Sequence, residues 1–115
     1  MPDFRGENIY IIQPNDSNVP FGFRFTPASA PFVNDGNIPY NTSVASVAVT
    51  AHKDDGTDVS STMIGTPAPS VLDNIVAVRI NWPGAVGRYH LVIVATLDDG
   101  SKKEFDFNRY VARDQ

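Results

Sequence analysis

Aspartates are the first residues here whose spacing suits chemistry. Asp54-Asp55-Gly56 and Asp98-Asp99-Gly100 each follow an alternating stretch, and Asp58 adds a third carboxylate to the first group. Clustered carboxylates suit a hard cation such as calcium, but the full ligand pattern of a helix-loop-helix calcium site is absent. Asp-Gly also supplies the left-handed backbone that a tight hairpin needs, so both triplets are expected to be turns. His52 and His90 would contribute to a zinc site if their strands were neighbours, yet no third ligand accompanies them. Serines and aspartates are plentiful, but no Gly-x-Ser-x-Gly elbow anchors a nucleophile, and no glycine-rich phosphate cradle joins a strand to a helix. The expectation is a protein that is not an enzyme and carries no metal or cofactor.

The elements that must position these residues are strands. Nine prolines and eight glycines are spread along 115 residues, which leaves no long run of helical apolar spacing. Two-residue alternation recurs instead. Val44 to His52 places Val47, Val49 and Ala51 on one face, with Ser46, Ala48, Thr50 and His52 on the other. Asn74 to Trp82 aligns Val76, Val78, Ile80 and Trp82. Gly87 to Leu97 aligns Tyr89, Leu91, Ile93, Ala95 and Leu97, and Lys102 to Val111 offers Phe105 and Phe107. Asn8 to Gln13 and Pro20 to Thr26 are shorter candidates, the latter with Phe21, Phe23 and Phe25 in strict alternation. A weak strand over Asp58 to Ile64 brings the count to about seven, which predicts an all-β, immunoglobulin-like antiparallel β-sandwich.

Gly87-Arg88-Tyr89-His90-Leu91 sharpens that expectation. A tyrosine just after a glycine, opening an inward-alternating strand, matches the tyrosine corner of such sandwiches, in which the hydroxyl bonds to backbone a few residues upstream. Here that backbone lies near Pro83 to Val86. On the opposite face of the same strand, Val92 and Val94 alternate outward beside His90 and make an apolar stripe, the candidate interface. The aromatic residues Phe21, Phe23, Phe25, Trp82 and Tyr110 would also suit a sugar-stacking platform, although alternating aromatics in a strand are more often core.

Composition narrows the class of partner. The formal net charge is −4, from 9 basic and 13 acidic residues, and the only basic cluster is the Lys102-Lys103 pair, which argues against nucleic acid. There is no cysteine, hence no disulfide and no thiolate metal site. No apolar run is long enough to cross a bilayer as a helix, and Met1-Pro2-Asp3-Phe4-Arg5 does not resemble a signal peptide. A soluble chain made in the cytoplasm is expected, folded as a single domain over residues 1–115. Its long irregular connection, 27–43, is where a binding role is first sought.

Gln13-Pro14-Asn15-Asp16 leading into Phe21 to Phe25, then Ser46 to Thr50 and Asp55-Gly56-Thr57-Asp58-Val59-Ser60-Ser61, form a pattern over most of the chain. Pro83-Gly84-Ala85-Val86-Gly87-Arg88-Tyr89 and the terminal strand after Asp99-Gly100 complete it. This resembles the small immunoglobulin-like virion proteins of tailed bacteriophages, in particular the fiber-tail adaptor type. Such adaptors often carry a tryptophan where this chain has Phe23 and Phe25, and the 27–43 segment is longer and richer in proline. The resemblance implies a structural assembly role in a phage or prophage particle. The implied partners are other virion proteins or further copies of the chain, and the implied location is the virion, or the cytoplasm before assembly. The alternative is a bacterial immunoglobulin-like module for carbohydrate or calcium.

Overall fold

The computed structural model describes residues 9–114, and they form two facing sheets. In chain order the elements are β1 (Tyr10–Ile12), β2 (Val19–Arg24), β3 (Val44–Lys53), α1 (Ser60–Met63), β4 (Ser70–Leu72), β5 (Ile75–Ile80), β6 (Gly87–Leu97) and β7 (Lys102–Ala112). One sheet has the order β1-β7-β6-β3 and the other β2-β5-β4. This is the immunoglobulin-like arrangement, with the second and fifth strands on one side and the third, sixth and seventh on the other. All pairings are antiparallel except β1, which runs parallel to β7.

Alternation places the core as expected. Val76, Val78 and Ile80 of β5 and Tyr89, Leu91, Ile93, Ala95 and Leu97 of β6 are all buried. The phenylalanines of β2 face aromatic rings of the opposite sheet: Phe21 meets Tyr110 edge-on with centroids 5.3 Å apart, and Phe23 meets Phe107 at 4.6 Å. Phe25, just past the end of β2, stacks on Phe105 at 4.6 Å. These rings are packed into the sandwich, which withdraws all but Trp82 from the sugar platform considered above. Trp82 lies beyond the end of β5 and is itself partly buried against the core.

Two elements depart from expectation. Asp58 to Ile64 is not a strand: Ser60–Met63 form one helical turn that drops Met63 into the core. Asp58 Oδ1 accepts from both the backbone N–H and the hydroxyl of Ser60, a local bond that competes with extended pairing. The seventh strand is instead β4, joined to β5 by Asp73-Asn74. Both residues have positive φ, 53° and 64°, as a two-residue type I′ turn requires.

β7 carries a bulge. Leu91 faces Phe107 while Tyr89 faces Tyr110, so β7 holds one more residue than β6 between these rungs. The extra residue shifts the parity, and Tyr110 and Ala112 turn inward where unbroken alternation would turn them out. Burial raises the Tyr110 phenol well above its ordinary pKa of 10.0, with a smaller contribution from Tyr10. Its hydroxyl has no hydrogen-bond partner among the described residues.

A phenol that resists ionisation only when folded stabilises the native state fully below about pH 10, and this stabilisation falls away as pH rises above that value. Tyr110→Phe removes both the titration and the unpaired hydroxyl. The unfolding free energy from denaturant titration is therefore expected to rise by up to about 1 kcal/mol near pH 7 and to decline less steeply above about pH 10. A substantial loss of stability near neutrality would refute the unpaired hydroxyl.

Candidate functional site

The tyrosine corner forms as the sequence implied. Tyr89 is buried, and its hydroxyl donates to the Ala85 carbonyl at 2.7 Å, inside the Pro83 to Val86 turn. Burial, and secondarily the charge of Asp55, raises its pKa. The role of Tyr89 is to fix how β6 enters the sheet, and with it the outward row beginning at His90.

β6 pairs with β3 in a register that sets Ser46 against Thr96, Ala48 against Val94, Thr50 against Val92 and His52 against His90. These four cross-strand pairs lie on the face turned away from the core, and none carries a fixed charge. The condition for a histidine site is met in part: the strands are neighbours and the two imidazole centroids are 5.5 Å apart. Each ring also has a local partner. His90 Nδ1 donates to Asp106 Oδ1 at 2.7 Å, since a carboxylate only accepts, and His52 Nε2 lies 3.1 Å from Thr50 Oγ1. Among the described residues no three His, Cys, Asp or Glu side chains gather as a metal site.

The aspartate triplets form turns. Gly100 N–H donates to Leu97 O and Gly56 N–H to Lys53 O, with φ of 90° and 94° at the two glycines. Asp55 accepts from Thr57 N–H, Asp99 from Ser101 and Asp58 from Ser60. Hydrogen bonds from those side chains and backbones hold all three carboxyls below the usual pKa. Their oxygens serve the chain locally and do not converge.

β3 is an edge strand, and its two ends are covered differently from its middle. Ala51 N–H donates to Ser60 Oγ at 2.9 Å and its carbonyl accepts from Val59 N–H at 2.8 Å, while Lys53 N–H donates to Thr57 O. At the other end Val44 N–H donates to Asn74 Oδ1 at 2.8 Å. Peptide groups alternate sides along a strand, so Val47 and Val49 share the outward direction of Ala51. Among the described residues their outward N–H and C=O groups have no partner. From Val44 to His52 there is no proline and no fixed charge, the two devices by which proteins usually blunt an edge.

Val92 and Val94 are half-buried by their neighbours, so the stripe is less exposed than its sequence suggested. The most exposed large apolar side chains lie elsewhere: Phe32 at 105%, Leu72 at 75% and, in the Pro83 to Val86 turn, Val86 at 54%. Phe32 belongs, with the exposed Val33 and Tyr40, to the 27–43 connection, the segment singled out by its length. Leu72 sits in β4, whose Asp73-Asn74 turn was the overlooked signal. Hydrogen bonds bring these loops to one end of the sandwich. Asn74 O accepts from Phe25 N–H at 2.8 Å, and Ser43 O accepts from Asp98 N–H at 2.9 Å.

Compared with known proteins, the chain matches no family model and no curated sequence. The geometry defines an immunoglobulin-like sandwich with an open, neutral strand edge and an apolar loop end.

Since the turn carboxylates are engaged locally, millimolar calcium is expected to move the melting temperature by less than about 1 °C. A saturable upward shift would restore the cation reading. Because Asp55, Asp58 and Asp99 are held below 3.8, their contribution is complete above that pH and is lost as pH falls below it. Asp99→Asn should therefore make acid unfolding less steep, followed by circular dichroism.

Proposed function

We propose that this chain is a non-enzymatic structural module that docks into a larger assembly, a phage or prophage particle of the tailed type, in the manner of a fiber-tail adaptor. The observation that carries the reading is the edge of β3. The peptide groups of Val47 and Val49, unpaired among the described residues, sit beside the uncharged outer rows of β3 and β6, so backbone pairing and side-chain contact are offered together. Strand addition to such an edge gains affinity from main-chain hydrogen bonds and specificity from alternate side chains. The 57–60 segment and Asn74 cover its two ends, which supports a short, register-defined partner strand. His90, Val92 and Val94 border this surface on β6, with Glu104 and Asp106 of β7 as a charged boundary.

The carbohydrate alternative draws on one feature, an open cleft of about 500 Å³ at the other end of the sandwich, lined by Trp82, Asn18, Asn81, Asp16, Ser61 and Thr66. Asn18 and Asn81 are occupied in holding backbone there: Asn18 Oδ1 accepts from Thr66 N–H, and Asn81 Oδ1 from Asn18 N–H. That favours a bracing role for the pair.

Val92→Ser with Val94→Ser is expected to keep a cooperative melt while lowering incorporation into particles at least about tenfold, the equivalent of about 1.4 kcal/mol. Ala48→Lys places a charge on the exposed edge and should act likewise. Incorporation is read by sedimentation and electron microscopy of particles from the parent genome. Normal particles containing either variant at wild-type stoichiometry would exclude this surface.

A further inference from the structure

The 27–43 connection is irregular in path but closely tied. Thr26 N–H donates to Asn37 Oδ1 at 2.6 Å, Asn37 N–H to Thr26 O at 2.9 Å and Ala28 N–H to Ile38 O at 3.0 Å. Ser29 N–H donates to Asp35 Oδ1 at 2.8 Å, and the Thr42 hydroxyl to Pro39 O at 2.6 Å. Gly36 lies so close to the backbone of residues 26–28 that a β-carbon would collide with it. The loop is thereby pre-organised, which lowers the ordering cost of binding.

That rigid loop presents Phe32 in an unusual state. Its φ of 66° puts a bulky side chain in the left-handed region, at a cost of about 1–2 kcal/mol, and its full exposure offers no burial to offset it. Beside it is a cleft of about 300 Å³ lined by Phe32, Val33, Ile38, Pro39, Tyr40 and Lys103. Lys103 is the unexpected member. It stands opposite buried Ala95, on the core-facing row of β7, and its ammonium lies 5.9 Å from the centroid of Phe105. Asn34 and Asn37 line the cleft as well, so a cation stands at a wall that combines apolar and aromatic side chains with neutral polar ones.

We propose that this cleft captures a short segment of a partner protein in which an acidic side chain adjoins an apolar one. The apolar side chain enters between Phe32, Pro39 and Tyr40, and the carboxylate meets the Lys103 ammonium. The proposal deepens the docking-module reading, on which its biological setting rests, by naming the chemistry of a second contact, beside the 27–43 connection and two strands across the sheet from the edge of β3.

The test is a titration of the isotope-labelled full chain with N-acetyl-Glu-Leu-amide and N-acetyl-Gln-Leu-amide, followed by amide chemical shifts. The acidic dipeptide should give saturable shifts at Gly36, Asn37, Tyr40 and Lys103 with a millimolar Kd, and the Gln analogue should bind at least about threefold more weakly. Lys103→Met should erase that difference. Phe32→Gly suits the positive φ, so it should keep or raise the melting temperature while weakening both ligands at least about fivefold. No saturable shift up to about 20 mM, equal affinity for the two dipeptides, or full binding by Phe32→Gly would overturn the proposal. Ala48→Lys should leave this titration unchanged, so failure of the cleft and failure of the docking-module reading are separate results.

Discussion

The aromatic contact between β2 and β7 is the constraint on which the rest of the molecule depends. Phe21, Phe23 and Phe25 meet Tyr110, Phe107 and Phe105 across the two sheets, and Tyr10 of β1 packs onto the first pair. Ring pairs of this kind contribute about 0.5–1.5 kcal/mol each beyond the area they bury. In a chain with no disulfide, they hold together the side of the sandwich where β2 is an edge strand. The β7 bulge belongs to this device, because the extra residue turns Tyr110 toward Phe21. Packing geometry, more than backbone pairing, requires that irregularity.

Once β7 is held by the aromatic rings, β6 lies between β7 and β3, and β3 becomes the outer strand of its sheet. The seven strands of the described residues, in two open sheets, must leave edges, and the treatment of the β3 edge is selective. Its C-terminal end is covered by the Asp54 to Ser60 turn and its start by Asn74, while its middle keeps free backbone groups among the described residues. The tyrosine corner works on the same sheet from below. By tying Tyr89 to Ala85 it fixes the phase of β6, and that phase decides that Val92 and Val94 face outward and Leu91 and Ile93 inward.

The loop end follows a different principle. Strands bury one face by alternation, but the 27–43 connection has no such period, and its order comes from side chains closing on backbone: Asn37 on Thr26, Asp35 on Ser29, Thr42 on Pro39. These residues are common turn formers and are legible as a loop. Their pairing, at separations of 11, 6 and 3 positions, is not, because many such pairings satisfy the same polar groups. Lys103 illustrates the point from the other side. In the sequence it is one of a basic pair, in phase with Phe105 and Phe107, and only the tertiary structure sets that end of the row beside the loop.

By itself the sequence determined the fold class, the faces of β3, β5 and β6, the tyrosine corner and the Asp-Gly turns. In each case the relevant physics is local: a period of two, a glycine able to take positive φ, a tyrosine two residues after the glycine that opens a strand. It misplaced one strand, because Ser60 to Met63 has extended-looking composition while the local bonds from Ser60 to Asp58 compete with extended pairing and the segment forms a helical turn, and it overlooked β4, whose three residues are too short to show a period. Only the tertiary structure decided which strand is left at the edge, which histidines meet, and which apolar side chains remain uncovered. Those outcomes depend on contacts between residues tens of positions apart, set by how two sheets pack and not by any one stretch of chain.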